Sequence, residues 1–179
     1  MVSPTSASGR PSAHVPEIDT WYPEPTLVGV AGDENVVVTS DRTADEYEFH
    51  SDLARMDLDR LHHWLSTDAY WALGRTRAAF ETAAQHSLNF GMFASDGAQV
   101  AYARVVTDHA TFAWLCDVYV DRDHRGVGLG SRLVAGVISA VQPMQLKRIL
   151  LATADAHGVY ARHGFTPLPA PEMWMIRGE

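Results

Sequence analysis

The chain has 179 residues, of which 46% are hydrophobic and 20% charged, so it can form one globular domain with an appendage but not two domains with separate cores. With 14 basic and 22 acidic residues its net charge is −8, which disfavours nucleic acid as the main partner. One cysteine, an N-terminus without a signal-peptide pattern and the lack of a long apolar run predict a cytoplasmic protein that has no disulfide and does not enter a membrane.

Residues 1–45 are predicted to be a partly disordered N-terminal extension of the domain. Five of the nine prolines fall in the first 25 residues, among several serines, and this composition cannot build a core of its own. Val36 to Val38 is an apolar run that indicates a short strand or an ordered strap. A tail without a role is the simpler interpretation of the first 20 residues, whereas Trp21 and Tyr22 leave a docking role open. The domain itself is expected at residues 46–179.

Beyond residue 45 the hydrophobic periodicity alternates between that of strands and that of helices. The predicted strands are residues 47–51, 88–94, 99–107, 111–120, 147–153 and 173–176. The predicted helices are residues 57–66, 75–86, 131–141 and 156–163, the last closed by Gly164. The three strands between residues 88 and 120 are joined by short polar turns, which indicates an antiparallel meander within an α/β domain.

A glycine-rich loop, Arg125 to Ser131, joins the third strand of this meander to a helix. Alternate glycines let the backbone turn tightly and bring several N–H groups together, and the helix adds its own unpaired N–H groups. The loop therefore predicts an anion site, most simply for a phosphate or pyrophosphate. It lacks the Gly-Lys-Ser/Thr end of a Walker loop, and Ser131 stands where a dinucleotide fingerprint has its third glycine. A tight connection without a ligand is the alternative, but the positive charge of Arg122 and Arg125 favours an anion.

Two motifs in this order resemble those of the GNAT superfamily of N-acetyltransferases. Arg125, Gly128 and Gly130 match its acetyl-CoA-binding motif. About 30 residues later, the run Tyr160-Ala161-Arg162-His163-Gly164-Phe165 matches its later motif, a tyrosine on a short helix before Gly-Phe. The resemblance spans roughly residues 46–177 and implies the GNAT fold, with a mixed, mostly antiparallel, V-shaped central sheet flanked by helices. Residues 63–71 also look like a bacterial subgroup of small acetyltransferases.

The resemblance implies acetyl-CoA as the cosubstrate, with its pyrophosphate on the glycine loop and its pantetheine along the strand that ends at Val120. The implied cofactor-binding residues are Val118, Val120, Arg125, Gly126, Val127, Gly128, Leu129, Gly130 and Ser131. The chain departs from the family pattern at two positions. Arg122 stands where many members have proline, and Thr153 stands where many have an asparagine that contacts the cofactor.

Acyl transfer to an amine requires the neutral amine, and a lysine-like amine of pKa ~10.4 is almost fully protonated at neutral pH. Asp117 is the predicted base because Leu115 and Tyr119, its neighbours of the same parity, are apolar, and burial would raise the pKa of its carboxyl. Three alternatives stay open: capping of a loop, an ion pair with an arginine such as Arg104, and binding of a cationic acceptor without proton transfer.

The resemblance implies that Tyr160 contacts the CoA thiolate as it departs. A phenol of pKa ~10 against a thiol of ~8.5 favours a hydrogen bond over complete proton transfer. A backbone N–H near Val118 is expected to meet the oxyanion if the strand bulges there. The implied fold also places the loop of Tyr70 and Trp71 beside the acceptor, which these residues would bind, although core packing is an alternative for Trp71.

The nine histidines show no metal-site spacing, so no metal is implied. Cys116 alternates with apolar neighbours and fits a small core residue better than a nucleophile. The predicted function is direct acetyl transfer in a ternary complex, from acetyl-CoA to a primary amine of a small molecule or to a peptide or protein lysine. The acidic balance favours a cationic acceptor. The alternative is a non-catalytic acyl-CoA-binding sensor or interaction module, which does not need Tyr160. A homodimer is left open.

Overall fold

The computed structural model describes residues 46–177, which lie in one compact unit. The predicted extension, residues 1–45, lies outside the described residues. The strands are β1 (Glu48–His50), β2 (Leu88–Phe93), β3 (Gln99–Thr107), β4 (Phe112–Val120) and β5 (Arg148–Leu150). The helices are α1 (Leu58–Thr67), α2 (Arg77–Gln85), α3 (Leu129–Val141) and α4 (His157–Ala161). The periodicity thus predicted these four helices and five strands within a few residues of their ends.

The five strands form one mixed sheet in the order β1-β2-β3-β4-β5. The first four are antiparallel neighbours, and β5 runs parallel to β4. β4 and β5 pair at only three positions, from Phe112 opposite Arg148 to Trp114 opposite Leu150. Beyond Trp114 the two strands no longer pair, and this opening gives the sheet the V shape that the resemblance implied.

Helices cover both faces of the sheet and build two hydrophobic clusters. On one face α3 buries five aliphatic side chains against the central strands: Leu129, Leu133, Val134, Val137 and Val141. On the other face α1 and α2 bury Leu61, Leu65 and Phe80. A Cβ on Gly136 of α3 would lie 2.5 Å from the ring of Phe49 in β1, so the close packing of α3 on the sheet requires a glycine there.

A β-bulge interrupts β4 at Asp117. Tyr102 of β3 lies opposite Tyr119, but Arg104 lies opposite Cys116, so β4 has one residue more than β3 over this stretch. Asp117 has a φ of +52°, in the left-handed region that non-glycine residues rarely adopt. The bulge on which the predicted oxyanion donor depended is therefore present.

The bulge also reverses which side chains of β4 face which cluster. Leu115 packs in the cluster beneath α3, whereas Tyr119 packs in the cluster with α1. Asp117 lies on the α1 side with Tyr119, where its partners come from the segment between α1 and α2. The prediction that Asp117 shares a face with Leu115 is wrong, because the simple alternation of a strand does not continue through a bulge.

The predicted last strand, residues 173–176, is not formed. Residues Pro171–Met173 form a single 3-10 turn, and the Met175 and Ile176 side chains beyond it are almost fully exposed. Prolines at 167, 169 and 171 remove alternate backbone donors just before this segment, and β5 is only three residues long. A short run of apolar residues therefore did not suffice to define a strand. Within residues 46–177, no helix is both long enough and apolar enough to span a bilayer.

Candidate active site

A cleft of about 910 Å³ opens where β4 and β5 diverge. Its walls are formed by the second half of β4, the glycine-rich loop with the start of α3, α4, and the segment between α1 and α2. Of the 13 predicted site residues, 12 line this cleft. The exception is Val127, which packs against the cluster beneath α3. The topology thus brings together residues that are up to 90 positions apart in the chain, from Tyr70 to Tyr160.

The glycine loop forms one end of the cleft and presents main chain to it. Gly126 and Gly128 have φ values of +83° and +82°, and a Cβ at either would meet no atom within 4 Å, so the space beside them is open. Gly128 is the N-cap of α3 and gives it no side-chain hydrogen bond. The first N–H groups of α3 consequently have no side-chain cap, which is the arrangement that binds anions at helix N-termini. The residues present fit a phosphate group.

Two arginines beside this loop surround one carboxylate. Asp68 accepts hydrogen bonds from the Tyr119 hydroxyl, at 2.6 Å, and from Arg122, and the Arg125 guanidinium lies 3.7 Å away. The Arg122 hydrogen bond, followed by that of Tyr119, lowers the pKa of Asp68 to about 2. Arg125 also lies over the Tyr119 ring, 5.3 Å from its centre. Among the side chains that line this end of the cleft, two positive charges stand against the negative charge of Asp68.

Two side chains at the start of α3 are engaged with the protein itself. Leu129 is buried in the cluster beneath α3, so only its main chain can reach a ligand in the cleft. The Ser131 hydroxyl is hydrogen-bonded to Nε2 of His163 at 2.8 Å, which joins the first turn of α3 to the end of α4. These two residues position the loop and α4 relative to each other.

Tyr160 lies on α4 and lines the cleft with only 9% of its surface exposed. Burial, followed by the neighbouring Tyr70, raises the pKa of Tyr160 to about 12. The phenol is therefore protonated at neutral pH and can donate a hydrogen bond into the cleft. α4 ends at Ala161, two residues before the predicted end, and Gly164 adopts a φ of +83° three residues beyond it.

Asp117 is buried and accepts four hydrogen bonds from three side chains. Arg75 donates to both carboxylate oxygens, at 2.7 and 3.1 Å, Arg104 donates from Nε at 2.8 Å, and Trp71 donates from Nε1 at 3.3 Å. Each oxygen thus accepts two hydrogen bonds. Burial acts to raise the pKa of Asp117, but the bonds and charges of the two arginines outweigh it, so its pKa is lowered.

Of the roles considered for Asp117, the ion pair with Arg104 is therefore observed. The expectation that burial would leave Asp117 with a raised pKa is wrong. Sequence reasoning did not find Arg75, which supplies two of the four bonds. Arg75 is 42 residues from Asp117 in the chain and carries no motif, so only the topology brings the two side chains together.

The loop after α1 forms the far wall of the cleft. Tyr70 and Trp71 are 53% and 42% exposed, and their rings meet edge to face with centres 4.9 Å apart. The Tyr70 hydroxyl accepts a hydrogen bond of 3.0 Å from the backbone N–H of Ala154, which follows β5. Trp71 is therefore a lining residue and not part of the buried core. The loop reaches across the opening between the two halves of the sheet.

Cys116 lines the same part of the cleft. Burial raises the pKa of its thiol to about 11, so the thiol is neutral at physiological pH. A neutral thiol is a poor nucleophile, and this geometry gives no support to a covalent acyl-cysteine.

Comparison with known proteins identifies the fold and the family. A profile of the acetyltransferase (GNAT) family matches residues 58–165. The chain belongs to the GNAT acetyltransferase family. The family membership that the two sequence motifs predicted is thereby confirmed. The cleft between β4 and β5 is the candidate active site of this GNAT protein.

Individual relatives agree with this assignment. A GNAT-family crystal structure from Xanthomonas campestris pv. campestris is 44% identical, with a TM-score of 0.71, and the match covers 74% of this chain and 93% of that one. The acetyltransferase homologue FG08082 of Gibberella zeae is 26% identical over 148 residues, 72% of this chain and 84% of its own. Rv2747 of Mycobacterium tuberculosis, solved in complex with CoA, shares the fold at 21% identity and a TM-score of 0.57, covering 69% and 76% of the two chains.

Proposed function

We propose that this GNAT protein transfers an acetyl group from acetyl-CoA to a primary amine of a small molecule, or to a peptide or protein lysine, by direct transfer in a ternary complex. The observation that carries the proposal is a cleft with uncapped amides of α3 at one end and a buried, protonated Tyr160 on its wall. The CoA complex of the structural neighbour Rv2747 supports acetyl-CoA as the cosubstrate.

Main-chain groups would hold the cofactor. The amides from Gly126 to Ser131 would bind the CoA diphosphate, helped by the positive charge of Arg122 and Arg125. Beyond Trp114, β4 does not pair with β5 in the described residues. The main-chain groups at Val118 and Val120 can therefore form hydrogen bonds with the amide groups of pantetheine. Acetyl-CoA, when bound, supplies the thioester that reacts.

The reaction forms a bond from the amine nitrogen to the acyl carbon, breaks the carbon–sulfur bond, and releases the amine proton. We assign Tyr160 as hydrogen-bond donor to the departing sulfur. Complete proton transfer from a phenol of pKa about 12 to a thiolate whose thiol has a pKa of ~8.5 would be uphill by about 5 kcal/mol. A hydrogen bond in the transition state avoids this cost. A backbone N–H at the Asp117 bulge, near Val118, is the proposed donor to the developing oxyanion.

The role of Asp117 as a base stays a prediction, and its surroundings favour a different role. A carboxylate with two hydrogen bonds on each oxygen and a lowered pKa is a weak proton acceptor. We therefore propose that Asp117 is a positioning residue that holds Arg75 and Arg104 at the cleft. The acceptor amine would then lose its proton to water.

A thiol-release assay with acetyl-CoA and a panel of primary amines tests the proposed function. We expect thiol release that requires both the protein and an amine, together with an acetylated product seen by mass spectrometry. Acetyl-CoA without an amine is the control for hydrolysis. Binding of acetyl-CoA without thiol release from any amine, peptide or protein lysine would support a non-catalytic acyl-CoA-binding module in place of the enzyme.

A further inference from the structure

We infer that the acceptor of this enzyme is a primary amine that also carries an anionic group, foremost a carboxylate, on an apolar body. The inference rests on the proposed function, because it concerns the acceptor half of the same cleft. We define the acceptor half as the part of the cleft away from the glycine loop, lined by Tyr70, Trp71, Arg75, Arg104, Trp114, Cys116 and Asp117.

The acceptor half has a net positive charge. It contains two guanidinium groups, Arg75 and Arg104, and one carboxylate, Asp117, while the Cys116 thiol is neutral. The other charged side chains of the cleft lie near the glycine loop or beside α4. One positive charge therefore remains uncompensated among these side chains, in a protein whose overall charge is −8.

The two arginines are more accessible from the cleft than the carboxylate between them. The Asp117 side chain is only 2% exposed, whereas those of Arg104 and Arg75 are 13% and 22% exposed. An ammonium group entering the cleft would therefore meet the arginines that cover Asp117. This local charge opposes the cationic acceptor that the overall charge suggested.

Each arginine also keeps an unused donor. Arg75 uses both Nη atoms on Asp117, and Arg104 uses Nε on Asp117 and Nη1 on Ser87. Within residues 46–177, Nε of Arg75 and Nη2 of Arg104 make no hydrogen bond, and neither is a fully buried atom. A carboxylate on the acceptor can accept charge-assisted hydrogen bonds from such guanidinium donors.

The rest of the acceptor half is aromatic. The half-exposed rings of Tyr70 and Trp71 form its outer wall, and Trp114 lines it from β4. These surfaces favour an apolar body between the amine and the anionic group. Because the amine must reach the thioester, Arg75 and Arg104 would bind the anionic group at the other end of the acceptor.

Matched pairs of amines, with and without a carboxylate, test the inference. The pairs are phenylalanine and 2-phenylethylamine, leucine and 3-methylbutylamine, and β-alanine and ethylamine. We expect kcat/KM, corrected for the fraction of neutral amine, to be at least about tenfold higher for the carboxylate member of the two pairs with a large apolar body. A phosphonate analogue of phenylalanine distinguishes a need for a carboxylate from a need for any anion.

Variants of Arg75 test whether this residue causes the preference for the carboxylate-bearing amine. Arg75→Gln should reduce the ratio within each pair towards one, and Arg75→Lys, which keeps the charge, should retain part of it. Arg77→Gln is the matched control, because Arg77 lies two residues further on, pairs with Asp59 and Glu81, and does not line the cleft. Calorimetric titration of N-acetylphenylalanine and of N-acetyl-2-phenylethylamine into the CoA-bound protein gives the same comparison without turnover, and a melting curve shows whether each variant is folded.

The outcomes separate the two proposals. Equal or better acetylation of the amines without a carboxylate would overturn this inference and leave the proposed function intact. A carboxylate preference that Arg75→Gln does not reduce would also overturn it. If no amine is acetylated and the protein does not discriminate between acetylated products, both proposals fail. A preference that is lost in Arg75→Gln and retained in Arg77→Gln supports the assignment.

Discussion

The two ends of the cleft are built from different parts of the chain. The glycine-loop end consists mainly of main chain from one short segment, where Gly126 and Gly128 take φ values above +80° and α3 begins. The acceptor end consists of side chains from three separate elements: Arg75 before α2, Arg104 in β3 and Asp117 in β4. We propose that the first end binds a phosphate through backbone amides and that the second selects an acceptor by charge and aromatic surface. Mutations at the two ends should therefore have separable effects.

The largest effect is expected at the glycine loop. Gly128→Val introduces a β-branched side chain at a φ of +82° and places it in the open space beside the α3 amides. We expect acetyl-CoA affinity to fall by at least about 100-fold, since several charge-assisted hydrogen bonds to phosphate are lost together. Isothermal titration calorimetry measures this directly.

Gly97→Val is the matched control for backbone strain. Gly97 has a φ of +84° in the β2–β3 turn and does not line the cleft. It should lower stability in a similar way while acetyl-CoA affinity stays unchanged in the folded protein. Equal affinity losses in the two variants would mean that Gly128 matters only for folding.

At the acceptor end, the largest expected effect is on stability. Asp117→Asn removes a buried charge that two arginines share, which we expect to cost about 3 kcal/mol in the free energy of unfolding at pH 7. Because the pKa of Asp117 is lowered in the folded state, its stabilisation is fully present above the unfolded value of ~3.9 and is lost as the pH falls through the folded value. Urea unfolding at several pH values measures the difference between the two proteins.

The stability difference should stay constant above about pH 5 and shrink below about pH 4. Asp59→Asn, at a carboxylate that is 87% exposed, is the control and should change stability little. In the pH profile of kcat/KM, we expect the acidic limb of Asp117→Asn to keep its midpoint. If that limb becomes flat, Asp117 is the base and its proposed positioning role is wrong.

A smaller effect is expected between the two ends, where Tyr160 lies. Tyr160→Phe removes a hydrogen-bond donor from the reacting sulfur and keeps the ring, so kcat should fall by about tenfold with nearly unchanged acetyl-CoA affinity. Tyr47→Phe removes a hydroxyl that is bonded to His124 at 2.9 Å and lies outside the cleft, and it should leave kcat unchanged. Full activity of Tyr160→Phe would remove the role assigned to its phenol.

The difference between the two ends also explains what the sequence could predict. The glycine loop and the tyrosine before Gly164 are local patterns, and they were sufficient to identify the family and its fold. The hydrophobic periodicity located the helices and five strands because burial on one face imposes it. The terminal strand was predicted wrongly because residues 173–176 have a strand-like pattern but no strand partner.

The acceptor end could not be predicted in the same way. The bulge at Asp117 changes the register by one residue, and the sequence of β4 contains no pattern that predicts it. Without the bulge, Asp117 would be expected on the face of Leu115, away from Arg75. The pKa of Asp117 depends on partners that the topology brings to it. The direction of its pKa shift could therefore not be predicted from the apolar neighbours along the strand.

A crystal structure of this protein grown with CoA would show whether the glycine loop holds the CoA diphosphate. We expect the diphosphate to lie within hydrogen-bonding distance of the main-chain amides between Gly126 and Ser131, with the CoA sulfur in the cleft beside the Tyr160 hydroxyl. A diphosphate bound elsewhere on the protein, or a cleft that remains empty at saturating CoA, would contradict it.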